Sequence, residues 1–307
     1  MSHLSRRTLA HPFTASLLLG LAITPSFALA QAPASWSGVE QALGRRGAPQ
    51  PGNVMKFSFP RRDLHVMVGE VQVKPSLALG SWVAFKRMAD GQATAMGDLV
   101  LTDAEINPVI SALQAGGVEQ TALHNHILGG TPNTMYLHIR AHGKELDIAR
   151  AIRRALEASK TPLDTTPAAP AGAFALDTTA IAKALGYSGK VSGGVYQVGV
   201  ARAEHIMEDG MEVPSSMGLA TSINFQPTGG GKAAITGDFV MIGTEVNAVI
   251  RALRASGIGI TALHSHMIGE TPRLYFMHYW ANDDALKLAH GLGAALAKTN
   301  SVKPKAR

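Results

Sequence analysis

The chain has 307 residues, of which 46% are hydrophobic and 16% charged, which is enough apolar material for two domain cores of ordinary size. It contains no cysteine, and this excludes disulfides, thiolate catalysis, cysteine metal ligands and a lipid anchor on cysteine. The formal net charge of +6 comes from the ends: two arginines lie in the first ten residues and four basic residues in the last ten. We expect no nucleic acid partner, because binding phosphates needs a basic surface and the remainder is close to neutral.

The first thirty residues have the pattern of an export signal. The paired Arg6 and Arg7 precede an apolar stretch over Phe13–Ile23, and the small-residue pattern at 28–30 is typical of a cleavage site. We therefore predict a signal peptide over 1–30 and a periplasmic or secreted protein that is not a lipoprotein. The paired arginines leave both the general and the twin-arginine export routes open. No later apolar run reaches about 18 residues, so we predict no membrane span.

The rest of the chain is one unit repeated at a spacing of 140 residues. The GDLV segment at 97–100 aligns with GDFV at 237–240, and TALH at 121–124 recurs at 261–264. Repeats of this length indicate duplicated structural units. The predicted organisation is repeat domain one over 36–158, a Pro- and Ala-rich linker over 159–175, repeat domain two over 176–298 and a disordered basic tail over 299–307.

Each unit shows helices interspersed with a mainly hairpin-connected sheet. In repeat one, a capping box of Thr102 and Glu105 begins the best-defined helix, and Gly116 and Gly117 end it. We predict an α+β fold in two tandem copies, each a mainly antiparallel sheet with two or three helices. In chain order the predicted elements of repeat one are a short helix at Gly38–Leu43, strands at Val54–Phe59, Leu64–Val73, Leu79–Arg87 and Ala95–Leu101, the capped helix, strands at Val118–Leu128 and Thr134–Ala141, and a helix at Lys144–Leu156.

Histidines are retained between the copies more than chance allows. Residues two apart in a strand share a face, so His124 and His126 should point together. The following hairpin should place His138 opposite one of them, with facing Cβ atoms roughly 4.5–5.5 Å apart. Eight of the twelve histidines form such pairs: His65, His124, His126 and His138 correspond to His205, His264, His266 and His278.

Three imidazoles on one face of a sheet can hold a single divalent ion. Three protein ligands and an open position are typical of a catalytic zinc site, and without cysteine the ion is Zn²⁺ or, alternatively, Cu²⁺, Ni²⁺ or Fe²⁺. Candidates for a fourth ligand are His65, Asp98, Glu270 and water. The predicted metal ligands are His124, His126 and His138 in repeat one, and His264, His266 and His278 in repeat two.

The resulting hypothesis is an exported protein that binds a divalent metal in each repeat. If it is a metal-dependent hydrolase, the ion would polarise a water molecule, and the general base would be Glu105, Glu245, Asp98 or Asp238. Simpler roles remain open: Glu105 as a helix cap and the aspartates as turn formers. The histidines could also be buried side chains bonded to carbonyls, or line a metal-free polar pocket. The alternative function is a metal-free envelope binding module that recognises a small molecule or an envelope component between the repeats.

The sequence resembles a known family at four segments. These are PRRDL at 60–64, LGSWVAF at 79–85, MGDLVL at 96–101 and TALHNH at 121–126. On these segments the chain is similar to the LppY/LpqO family of secreted bacterial proteins with a duplicated domain of unknown function. The resemblance implies a duplicated fold and export but no established activity. Named members are lipoproteins, whereas this chain has no cysteine to carry a lipid.

Overall fold

The structure is a computed structural model that describes Met1, His3 and residues 35–165 and 173–304. The predicted signal peptide lies outside the described residues, apart from Met1 and His3. Both repeats belong to one structural unit, Trp36–Arg307. Among the described residues, no helix is long and apolar enough to cross a membrane.

The two repeats contain corresponding elements in the same order, except that repeat two has an additional 3₁₀ turn and lacks a strand matching Gly130–Thr131 of repeat one. Repeat one comprises α1 (Ser37–Leu43), β1 (Ala48–Gln50), β2 (Val54–Pro60), β3 (Met67–Val68), β4 (Val71–Gln72), β5 (Gly80–Arg87), β6 (Ala93–Leu101), α2 (Asp103–Ala115), β7 (Glu119–His124), β8 (Gly130–Thr131), β9 (Met135–Gly143) and α3 (Glu145–Glu157). Repeat two comprises α4 (Thr178–Leu185), β10 (Lys190–Ser192), β11 (Val195–Ala201), β12 (Met207–Glu208), β13 (Met211–Glu212), a 3₁₀ turn (Ser215–Met217), β14 (Ala220–Gly229), β15 (Lys232–Ile242), α5 (Val246–Ala255), β16 (Gly259–His264), β17 (Leu274–Asp284) and α6 (Ala285–Leu296).

Each repeat forms one six-stranded antiparallel sheet. The strand order is β1-β2-β5-β6-β9-β7 in repeat one and β10-β11-β14-β15-β17-β16 in repeat two. One face of each sheet packs on its three helices, because alternate residues such as Leu99, Leu137 and Ile139 join the helix-covered core. The α+β class with two tandem copies is confirmed.

The second face of each sheet turns toward the other repeat. Val71 and Val73 of repeat one share a hydrophobic core with Val195 of repeat two, and Ile206 and Met211 of repeat two pack with residues of the first sheet. Each repeat therefore extends a small hairpin onto its neighbour's sheet. The region between the two sheets is therefore formed by residues of both repeats.

A buried ion pair anchors helix α2 in repeat one. Arg61 is fully buried and donates to Glu105 at 2.8 and 3.1 Å. The same carboxylate accepts the N–H groups of Thr102 at 2.8 Å and Lys160 at 2.7 Å. Arg202 and Glu245 repeat the pair in the second copy. These partners occupy both oxygens of each glutamate.

Replacing Arg61 with alanine should destabilise the fold by about 3–5 kcal/mol, because it leaves a buried carboxylate without its counter-ion. Urea unfolding of Arg61→Ala measures this loss. Arg150→Ala removes an exposed pair with Asp147 and should cost less than about 1 kcal/mol. Equal losses in the two variants would contradict the role given to the buried pair.

The predicted disorder of the C-terminal tail is wrong at its start. Thr299 and Ser301 are buried, and Val302 N–H donates to the Ala201 carbonyl at 2.9 Å. The N–H of Asn300 donates to Glu245 at 2.7 Å, as that of Lys160 does to Glu105. The segment looks polar in the sequence, but its backbone hydrogen bonds complete the second repeat.

Candidate metal centre

The predicted hairpin register around the histidines is wrong. Strand β7 ends at His124, so His126 lies in the loop that follows. His124 lies opposite Tyr136, and His138 lies opposite Ala122 rather than opposite His124 or His126. The physical reason is the early departure of the chain from the sheet after His124, because the loop that follows sets the register of the residue pairs next to it.

A row of directly opposed residues crosses the inner face of the first sheet. Trp82 on β5 faces Asp98 on β6, and Asp98 faces His138 on β9. The second sheet has the matching row of Ser222, Asp238 and His278. Both aspartates lie in the interior of long strands, so they do not form turns.

The glycine of the repeated Gly-Asp motif also has a physical role. A Cβ atom on Gly97 would lie 2.7 Å from the Trp82 carbonyl oxygen, and one on Gly237 would lie 1.8 Å from the Ser222 carbonyl oxygen. Neither position can hold a side chain without moving the neighbouring strand. The motif thus combines a close strand contact with an aspartate that faces inward.

The six predicted ligands form a single histidine cluster between the repeats, not two separate sites. The ring centroids of His124 and His264 are 3.5 Å apart. The pairs His126–His278 and His138–His266 are both at 3.7 Å. These matched distances show an approximate twofold relation between the repeats. We name His124, His126, His138, His264, His266 and His278 the histidine cluster.

Two reciprocal hydrogen bonds tie the histidine loops together. The Thr121 hydroxyl donates to the His266 carbonyl at 2.6 Å, and the Thr261 hydroxyl donates to the His126 carbonyl at 2.6 Å. Each repeat therefore positions the loop of the other. This explains why the repeated TALH segment begins with threonine.

The ring nitrogens of the cluster are arranged as a metal site requires. The Nε2 atoms of all six histidines are buried and have no hydrogen-bond partner among the described residues. The Nδ1 atoms of three are paired with carbonyl oxygens: His124 with Asn125 at 3.2 Å, His264 with Phe276 at 3.1 Å and His278 with Gly237 at 2.7 Å. A proton held on Nδ1 leaves the Nε2 lone pair free for a metal.

The nitrogens form two groups that share His124. Those of His124, His126 and His138 lie within 4.8 Å of one another, and so do those of His124, His264, His266 and His278. Ligand nitrogens at zinc bond lengths are at most about 4.2 Å apart. Each set of three histidines from one repeat could therefore hold an ion after side-chain movements of about 1 Å.

Burial keeps the cluster in the neutral form that binds metals. It lowers the pKa of every member, to about 3 for His124 and His266 and about 4 for His278. Burial has the opposite effect on the carboxyl groups: with repulsion from Asp238 it raises the pKa of Asp98 to about 8, and burial raises that of Asp238 to about 6.

Of the four predicted general bases, the structure brings only the two aspartates to the cluster. An Asp98 carboxylate oxygen lies 3.6 Å from His126 Nε2, and one of Asp238 lies 3.1 Å from His266 Nε2. Glu105 and Glu245 do not join the site, because their carboxylates are bound by the buried arginines and by backbone N–H groups.

The other fourth-ligand candidates also lie elsewhere. His65 is exposed and contacts Gln72, and its counterpart His205 is likewise exposed and pairs with Glu212. The carboxylate of Glu270 is buried but accepts the N–H of Leu274 at 2.9 Å. A site residue that the sequence reading missed is Tyr136, whose ring stacks on His126 at 3.4 Å.

An open groove leads to the cluster from between the repeats. Its volume is about 1200 Å³. Its inner wall carries both aspartates and four of the six histidines: Asp98, His126, His138, Asp238, His266 and His278. A small molecule in this groove would therefore lie against both aspartates and these four histidines, whose Nε2 atoms are themselves buried.

The fold and site define a duplicated α+β protein with one histidine centre shared by two repeats. The chain belongs to the family described as Domain of Unknown Function (DUF1259), which matches residues 37–158 and again 179–298. The narrower resemblance to LppY/LpqO proteins stays a prediction. No curated protein matches the sequence significantly.

Similar solved structures include two proteins of low sequence identity. A trimeric bacterial microcompartment shell protein, PduB, is 14% identical, covers 84% of this chain and 95% of its own, and has a TM-score of 0.22. EtuB from Clostridium kluyveri is 11% identical over 82% of this chain and 90% of its own, with a TM-score of 0.21. The similarity at these scores is too low to support a statement about fold or function.

Proposed function

We propose that this protein binds divalent metal ions at the histidine cluster, with one ion in each three-histidine group. The observation that carries the proposal is the set of six buried Nε2 atoms without hydrogen-bond partners. Leaving a buried polar atom unpaired costs about 1–3 kcal/mol. Six such atoms within one site are costly for a fold with no ligand, and metal coordination would satisfy them.

The composition of the site favours Zn²⁺, since imidazole nitrogens are its preferred ligands in the absence of thiolates, with Cu²⁺, Ni²⁺ and Fe²⁺ as alternatives. Three histidines leave a coordination position open toward the groove. A bound ion would there polarise a water molecule or a substrate oxygen. Asp238, with a pKa of about 6, is ionised at neutral pH and is placed to accept a proton beside the ion, whereas Asp98, with a pKa of about 8, is largely protonated in the metal-free protein. Metal-dependent hydrolysis is therefore the reaction class we propose to test first, with Asp238 as the general base.

Metal analysis of the purified, metal-reloaded protein should find about two transition-metal ions per chain, one per three-histidine group. The double variant His126→Ala, His266→Ala should lose one ion and hold the other only weakly, because repeat one then keeps two ligands and repeat two keeps His264 and His278 with the shared His124. The variant His65→Ala, His205→Ala is the matched control: these histidines are also paired between the repeats, but they are exposed and away from the cluster. Reloaded wild-type protein without bound metal would exclude the proposal.

The groove supports a second candidate function, a metal-free module that binds a small molecule or an envelope component. Its volume of about 1200 Å³ slightly exceeds the range of roughly 300–1000 Å³ that is typical of small-molecule sites. In that case the cluster would bind the ligand through hydrogen bonds, and a chelator would leave binding unchanged.

We also propose export to the periplasm or beyond, which rests on the signal pattern in residues 1–30. Fractionation of cells that express the full chain tests this part.

A further inference from the structure

The groove is asymmetric at one position beside the histidine cluster. Lys56 lies on β2 with its side chain on the groove side, and its ammonium nitrogen lies 3.9 Å from the centre of the Trp82 ring. The register that pairs Lys56 with Ala84 pairs Gln197 with Asn224 in repeat two. Repeat two therefore has a neutral amide where repeat one has a charge.

The ammonium of Lys56 has a cation–π contact but no counter-ion. Among the described residues, it forms no hydrogen bond or ion pair, and the group that it contacts is the Trp82 ring. A half-buried charge without a hydrogen-bonding partner is unfavourable. Burial lowers its pKa to about 8, an effect that Asp98 partly opposes, so the amine still carries its charge at neutral pH.

The surrounding groove also favours a negatively charged ligand. Its other basic lining residues are Arg62, Lys74 and Lys190, against two acidic ones, Asp98 and Asp238. Repeat two contributes small residues such as Gly199 and Ser222 to the lining of the same groove.

We propose that Lys56 and Trp82 form a binding site for the oxyanion group of a small organic acid or phosphate ester. The ammonium binds the anionic group, and the indole ring packs against the carbon atoms next to it. Trp82 is in the row that continues through Asp98 to His138. Two strand spacings of about 4.8 Å separate Trp82 from His138, so a group bound at Trp82 lies roughly 10 Å from this histidine, and the rest of the ligand extends toward the cluster. The extension of the ligand toward the cluster rests on the proposed metal function, whereas the anion site itself does not.

Calorimetric titration of metal-free protein with inorganic phosphate, and separately with acetate, tests the site. Comparing the two probes shows whether it prefers phosphate or carboxylate. We expect saturable binding by the wild type and an affinity about tenfold lower in Lys56→Gln, which loses a charge-assisted hydrogen bond. Glutamine is the residue that repeat two uses at this register. Lys190→Gln removes an exposed lysine of the same groove and should change the affinity less than about twofold.

Trp82 supplies a second measurement that does not depend on heats of binding. Phosphate should change the tryptophan fluorescence of the wild type and much less that of Lys56→Gln. Equal affinity in the two proteins, or no saturable binding of either anion, would overturn the inference. Binding that requires zinc and ignores Lys56 would overturn it too, while it would support the metal centre. Binding that depends on Lys56 in a protein that takes up no metal would support the anion site alone.

Discussion

Removing metal with a chelator should lower the thermal unfolding midpoint by roughly 5–10 °C for each site emptied. An ion that binds only the folded protein stabilises it by about 2.7 kcal/mol when its free concentration is a hundred times the dissociation constant. The folded state without metal also retains six buried Nε2 atoms with no partner. Metal loss therefore removes the free energy of metal binding and leaves the six Nε2 atoms without partners in the folded protein.

Calorimetry of chelated and zinc-reloaded protein measures this difference. The cluster variant His126→Ala, His266→Ala should show little response to zinc, whereas the control His65→Ala, His205→Ala should respond as the wild type does. In chelated protein the cluster variant should unfold close to the wild-type midpoint, because it removes two unsatisfied groups. A wild-type thermal unfolding midpoint that is the same with and without zinc would contradict the metal centre and favour the metal-free binding module.

The sequence was sufficient to predict the duplicated α+β fold and most element positions. Helix α2 shows why: its capping box, apolar stripe and terminal glycines are local signals, and the structure places the helix at Asp103–Ala115. The same kind of local pattern led to the prediction that the ligand histidines share one face of the sheet, although His126 lies in the loop after β7. Strand alternation reports which side of a sheet a residue occupies.

The assembly of the site could not be predicted in this way, because it depends on contacts between distant residues. Alternation does not reveal where a strand ends, and the end of β7 at His124 made Ala122 the partner of His138. Nor does it reveal what covers the inner face, which here is the second repeat. His124 and His264 are separated by 140 residues of chain, and their contact follows from the packing of the two sheets. The pairing of Arg61 with Glu105 is similarly remote, although both residues recur in repeat two as Arg202 and Glu245.

Acid should destabilise the metal-free protein steeply between about pH 6.5 and pH 4. Histidine in an unfolded chain has a pKa near 6.5, and burial in the folded cluster lowers it, to about 4 for His278. The unfolded chain therefore takes up protons in this range that the folded protein does not, so stability present above pH 6.5 is lost as the pH falls. For His278 alone the loss by pH 4 is about 3 kcal/mol, and the other five histidines shift in the same direction.

The two aspartates oppose this effect without reversing it. Their pKa values are raised in the folded state, to about 8 for Asp98 and about 6 for Asp238. The stability they contribute is therefore present at low pH and lost as the pH rises. Six histidines outnumber two carboxyl groups, so the net slope should follow the histidines. Urea unfolding of chelated protein at pH 7, 6 and 5 gives this slope directly. Replacing His126 and His266 with alanine should make it shallower, and an unfolding free energy that stays constant over this range would mean that the imidazoles are not buried as neutral groups.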